Sequence, residues 1–175
     1  MIRNHSRSSL RAAALLASTA LLVGAAALPA QATEVEEHCI ALVDDGTVVC
    51  AETLEAADAE FTEATGYTRV EDAAARGDLE LLVVYSLATL YQHAGYSGSS
   101  YTFTRSTACN GVTQAGISNL TSVGLNDAVS SFLTYGTCQV RLYADAGYAG
   151  STFGYASSQS SLPTFNDVAS SARAR

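Results

Sequence analysis

Two short stretches of the 175-residue chain share one oxygen-rich composition: Asn126-Asp127-Ala128-Val129-Ser130-Ser131 and Asn166-Asp167-Val168-Ala169-Ser170-Ser171. Each offers a carboxylate, a carboxamide, two hydroxyls and the backbone carbonyls between them. A hard divalent cation such as calcium collects six to eight oxygens of these kinds at roughly 2.3–2.6 Å. Asn, Asp and Ser also build ordinary Asx and Ser turns. The recurrence in register, with an acid at the same position of both stretches, nevertheless points to two calcium sites. One carboxylate per site implies weak binding, with dissociation constants of about 10⁻⁵ to 10⁻³ M.

The elements that would position these stretches are themselves duplicated. Tyr91-Gln-His-Ala-Gly-Tyr96-Ser-Gly98 matches Tyr143-Ala-Asp-Ala-Gly-Tyr148-Ala-Gly150 at an offset of 52, and Phe103 falls on Tyr155 at the same offset. The Asn-Asp stretches match at an offset of 40, so the first copy holds 12 additional residues between Thr104 and Val123, a span that includes Cys109. Each copy reads as a strand with alternate apolar positions, such as Val140 and Leu142, ending at an aromatic. The chain then turns back through a glycine loop over which Tyr96 or Tyr148 packs. A final strand follows the Asn-Asp stretch, first seen as Ser131 to Tyr135. From Leu79 onward, short apolar runs broken by turn residues every eight to twelve positions indicate an antiparallel all-β sandwich.

Two different motifs, each present twice and in the same order, make this part of the chain resemble the βγ-crystallin family. The resemblance covers about residues 86–175 and implies two four-stranded Greek keys, about 86–136 and 137–175, packed as a sandwich. It also implies crossed calcium loops. One ion would take Asp127 with the Val168 carbonyl and Ser170; the other would take Asp167 with the Ala128 carbonyl and Ser130. Asn126 and Asn166 would shape the loops, and calcium would act mainly by stabilising the fold. Secreted bacterial metalloproteinase inhibitors resemble the same fold, which makes peptidase inhibition the second reading. Its vehicle would be the long segment Arg105 to Gly116, pinned if Cys109 pairs with Cys138. A surface or matrix protein with no partner beyond calcium is a third.

The rest of the chain has a different texture. Residues 33–80 contain 14 of the 17 acids, whereas the remaining part contains only Asp127, Asp145 and Asp167. Cys39 to Cys50 reads as a hairpin of two short strands around Asp45-Gly46. Leu54, Ala57, Phe61 and Ala64 then recur at helical spacing, with Thr53 placed as the cap and Gly66 as the stop. The opposite face, with Glu52, Glu55, Asp58, Glu60 and Glu63, reads as a solvated surface. A pro-segment or a docking appendage would both suit this region.

Residues 1–32 have a basic start, a 17-residue apolar stretch from Ala12 to Leu28 and an Ala-x-Ala end, the signature of a secretory signal peptide. The organisation is therefore a leader over 1–32, an acidic hairpin-and-helix segment over 33–80 and a β domain over 81–175. Without the leader, six arginines and no lysine face 17 acids, a net charge of −11. Such a chain excludes nucleic acid and anionic lipid surfaces as partners and favours cations. The four cysteines, in a chain bound for an oxidising compartment, predict disulfides; three pairings are possible, and local spacing favours Cys39 with Cys50 and Cys109 with Cys138. Zinc is excluded by the absence of a Cys-x-x-Cys pair and by only two histidines, His38 and His93, after the leader. No catalytic residues emerge. The Gly95-Tyr-Ser97-Gly98-Ser99 sequence lacks the last glycine of a nucleophile elbow, and His93 is one residue of the turn repeat.

Overall fold

The computed structural model describes residues 35–71 and 82–175. The leader over 1–32 lies outside the described residues, as does the expected junction near residue 80. Among the described residues the elements are, in order, β1 (His38–Leu42), β2 (Thr47–Ala51), α1 (Leu54–Thr65), β3 (Thr68–Val70), β4 (Val83–His93), β5 (Ser97–Arg105), β6 (Ala115–Ile117), a 3₁₀ turn (Leu120–Val123), β7 (Ser131–Thr134), β8 (Val140–Asp145), β9 (Ala149–Ala156) and β10 (Ser171–Ala174).

Two sheets face each other. The first is six-stranded, in the order β2-β1-β5-β4-β3 with β7 also on β4; the second is four-stranded, in the order β6-β10-β8-β9. Alternation decides which side chains enter the space between them. Leu90 on β4, Phe103 on β5 and Phe132 on β7 meet Leu142 on β8 and Ala172 and Ala174 on β10, all fully buried in one cluster. Each half of the β domain lends a strand to the other's sheet. β6 of the first half pairs with β10, and Gln159 of the second half exchanges both backbone hydrogen bonds with Phe132 of β7, at 2.8 and 3.0 Å. The result is the two-key Greek-key sandwich that the family resemblance implies, with the exchange itself set by tertiary packing. A shift of register also recurs at equivalent places, between Tyr91 and His93 in one hairpin and between Tyr143 and Asp145 in the other.

The acidic segment forms the expected hairpin and helix. Cys39 and Cys50 stand directly opposite each other across β1 and β2 and are joined by a disulfide. Thr53 Oγ1 accepts from the Ala56 N–H at 3.1 Å, and Gly66 closes the helix at φ 73°, where a side chain would be strained. Two features were not signalled by pattern. β1 runs parallel along β5 and β3 parallel along β4, so the segment extends the first sheet and its Cys39 and Ala41 join the main core. Asp58, expected on a solvated face, holds the Arg69 guanidinium through two contacts of 2.6 and 2.7 Å. Ala64 is exposed, and the helix buries only Ala57 and Phe61 completely, against Ile40, Leu42 and Val84. Burying a side chain such as Phe61 is worth about 1.5–3 kcal/mol.

Candidate metal centre

The two Asn-Asp stretches lie against each other, each just ahead of the last strand of its key. Asp127 and Asp167 have φ of 53° and 54°, and Tyr96 and Tyr148 have 64° and 63°; these are the non-glycine residues with positive φ among the described ones. The left-handed region costs roughly 1–2 kcal/mol per residue and is least costly for Asp and Asn, so matched excursions at offsets of 40 and 52 mark a conformation built twice. The loops are laced across the pseudo-twofold. The Asp127 N–H donates to the Ala169 carbonyl at 2.9 Å, and the Asp167 N–H to the Val129 carbonyl at 3.1 Å.

Each loop is also tied to the hairpin of its own key. The Ser130 N–H donates to the Tyr91 carbonyl at 3.0 Å and the Ser170 N–H to the Tyr143 carbonyl at 2.9 Å. Ser131 Oγ donates to the His93 carbonyl at 2.6 Å and accepts from the Tyr96 N–H at 3.1 Å. Ser171 Oγ repeats both contacts with the Asp145 carbonyl at 2.7 Å and the Tyr148 N–H at 3.0 Å. Both serines are completely buried. The second serine of each motif is therefore a brace for the tyrosine loop, while the first faces the carboxylate.

That first serine crosses over. Ser130 Oγ donates to Asp167 Oδ1 at 3.0 Å, and Ser170 Oγ donates to Asp127 Oδ1 at 3.3 Å. The other oxygen of each acid accepts from its neighbouring carboxamide, Asn126 to Asp127 at 2.7 Å and Asn166 to Asp167 at 2.6 Å. Neither carboxylate pairs with a cationic side chain among the described residues. Oxygens about 3 Å apart are spaced like neighbouring ligands of a cation whose bonds are roughly 2.3–2.6 Å. Two uncompensated carboxylates, each beside a hydroxyl from the opposite loop, are a donor set that fits calcium. Ala128, Ser130, Asp127 and Asp167 line an open depression of about 260 Å³, and Val168, next to Asp167, is 36% exposed.

Gln92 and His93 line the same depression; the sequence implied a contribution from the tyrosine-glycine loops but did not single out these two residues. Their counterparts at the offset of 52 are Ala144 and Asp145, so the only hint was a departure from the repeat. The hairpins fold tightly at this point. A Cβ on Gly98 (φ 78°) would stand 2.7 Å from His93 Cδ2, and one on Gly150 (φ 76°) would stand 2.5 Å from Asp145 Oδ2. Another group of would-be ligands, Glu37 with Cys39 and Cys50, lies within 4.8 Å, but its sulfurs form a disulfide and supply no thiolate.

Residues 90–155 match the family of peptidase inhibitors described as peptidase inhibitor family I36. A βγ-crystallin domain from Flavobacterium johnsoniae is 31% identical, over 51% of this chain and 93% of that one, with a TM-score of 0.39. The chain belongs to the βγ-crystallin family. Its membership rests on that identity across nearly the whole of the relative and on the twin keys described above. A βγ-crystallin domain from Clostridium beijerinckii is 20% identical over 50% of this chain and 95% of that one, with a TM-score of 0.40. A double mutant of clostrillin, 19% identical over 50% of this chain and 95% of that one with a TM-score of 0.40, is a complex with nickel. No curated protein matches the chain. The family I36 match runs from the end of β4 into β9, and so includes the long segment of the first βγ-crystallin key together with the first hairpin of the second.

Proposed function

We propose that this chain is a secreted, non-enzymatic βγ-crystallin-type protein that binds two calcium ions through its paired Asn-Asp-x-x-Ser-Ser loops. The observation that carries the reading is reciprocity: Ser130 approaches Asp167 at 3.0 Å while Ser170 approaches Asp127 at 3.3 Å. Asp127, the Val168 carbonyl and Ser170 would hold one ion; Asp167, the Ala128 carbonyl and Ser130 the other. A bound cation would neutralise the acids and join the two keys, a stabilising role. Two disulfides, Cys39–Cys50 and Cys109–Cys138, suit an oxidising compartment, and among the described residues no helix is long and apolar enough to cross a membrane.

The test is a thermal melt in chelator and then in calcium raised stepwise to about 100 mM, 100-fold above the weakest expected dissociation constant. At 100-fold excess over the dissociation constant each site adds about 2.7 kcal/mol, and a domain of this size gains about 2–4 °C per kcal/mol. The expected outcome is a rise of several degrees for the wild type, partly lost in Asp127→Ala and in Asp167→Ala. A wild-type midpoint that calcium leaves in place would sink the reading.

Peptidase inhibition is the second reading, and the match of residues 90–155 to inhibitor family I36 favours it. Cys109–Cys138 ties the segment after β5 to the start of the second key. There the Asn110 side chain accepts from the Val112 and Thr113 N–H groups at 3.0 and 2.8 Å, a closed turn that holds Val112 80% exposed. A rigid loop with an apolar tip loses little entropy on docking to an enzyme cleft. Secreted metallopeptidases and serine peptidases should be slowed by micromolar protein, and Val112→Asp should abolish the effect without moving the melt. No slowing of any of them removes this reading.

A further inference from the structure

The outer face of the second sheet carries a cluster that lies outside the calcium loops and meets the long segment at Gln114. Val140, Leu142, Ala172 and Ala174 point into the core, so their alternate neighbours Arg141, Arg173 and Arg175 lie on the opposite side. Arg141 and Arg173 are direct cross-strand partners. Arg175 continues the ladder through backbone bonds of 3.0 and 3.1 Å to Gln139. Each guanidinium is stacked on a tyrosine, Arg173 over Tyr148 at 3.7 Å, Arg175 over Tyr155 at 3.7 Å and Arg141 over Tyr155 at 4.6 Å. Cation–π stacking of this kind holds the cations flat and restricts their rotamers.

What sets this cluster apart is missing neutralisation. In a chain with 17 acids, Arg69 and Arg105 are paired with carboxylates, yet among the described residues Arg141, Arg173 and Arg175 meet none. Their partners are neutral: Gln114 accepts from Arg173 at 3.0 Å and Gln139 from Arg175 at 3.4 Å. The buried Nε atoms of Arg141 and Arg175 have no acceptor. Charge is also divided along the chain. Residues 82–175 carry four arginines and three acids, a net charge of +1 against the −8 of the whole chain.

We propose that this face docks an extended acidic peptide segment of a partner protein, with carboxylates at alternate residues pairing with Arg173 and Arg175. The spacing selects that ligand: two residues along a strand span about 7 Å, the same repeat that an extended peptide presents on one side. The guanidinium edges offer bidentate sites for planar carboxylates. The tyrosine faces are already covered by guanidinium, which leaves no open stacking platform for bases.

The test uses fluorescence anisotropy with the purified protein at 20 mM NaCl. The probe is a labelled peptide with Glu at alternate positions and Thr between, beside the same peptide with Gln for Glu. The Glu peptide should bind and the Gln peptide should not, and binding should weaken as salt rises. Arg173→Gln and Arg175→Gln should each weaken it at least fivefold; circular dichroism confirms that each variant is folded. Absence of binding at 1 mM Glu peptide overturns the proposal. So does equal binding of the Gln peptide, an unchanged affinity in both face variants, or binding of heparin where the Glu peptide fails.

Discussion

In the first key Ser131 ties His93 to Tyr96, and in the second Ser171 ties Asp145 to Tyr148, with matching distances that differ by 0.1 Å. The contacts that cross between the keys agree to within 0.3 Å, and Leu90 and Leu142, related by the offset of 52, are both fully buried. The keys part company where the first carries its additional residues, braced by Cys109–Cys138, and where Gln92 and His93 stand against Ala144 and Asp145. Parts that must cross the pseudo-twofold keep one solution, because each loop's hydrogen bonds end on the other. Parts outside that lacing are free to specialise, and the long segment of the first key lies there.

This equivalence breaks or sharpens under substitution. Leu90→Ala and Leu142→Ala should each cost about 2–5 kcal/mol in denaturant unfolding, and a gap above about 2 kcal/mol would show that one key dominates the core. The disulfides come next. Loop closure predicts about 3.5 kcal/mol for Cys109–Cys138 at a separation of 29 and about 3 kcal/mol for Cys39–Cys50 at 11. Replacing each pair by alanine should give nearly equal losses of stability, while only the first should affect peptidase inhibition. Ser131→Ala and Ser171→Ala each remove the partner of a part-buried carbonyl and N–H, a cost of about 1 kcal/mol; calorimetry should return the same value for both. Unequal costs would mean that the two tyrosine loops are held by different means.

The smallest effect belongs to the first key and alkaline pH. Burial pushes the Tyr91 phenol up to about 12, above its ordinary 10. The fold therefore prefers the neutral phenol. Its contribution to stability is fully present below pH 10 and is lost as pH rises from 10 towards 12. The urea midpoint should hold from pH 8 to 9.5 and fall beyond, and Tyr91→Phe should flatten part of that fall.

Much of the fold and the site was legible because it is local. A turn needs Gly66 or the Asp45-Gly46 pair at one position, a helix start needs Thr53, and a duplicated motif announces a duplicated unit whatever surrounds it. The pairing of Asp127 with Ser170 was accessible only through the family resemblance, since nothing within one loop states which hydroxyl will reach its acid. The exchange of β6 and the Gln159 bridge between sheets, the parallel seat of β1 on β5, the clamp of Asp58 on Arg69 and the stacking of three arginines on two tyrosines were decided by tertiary structure alone. Residues far apart in the chain meet there, and the alternation of side chains along a strand tells which face a residue takes without telling which strand lies beside it.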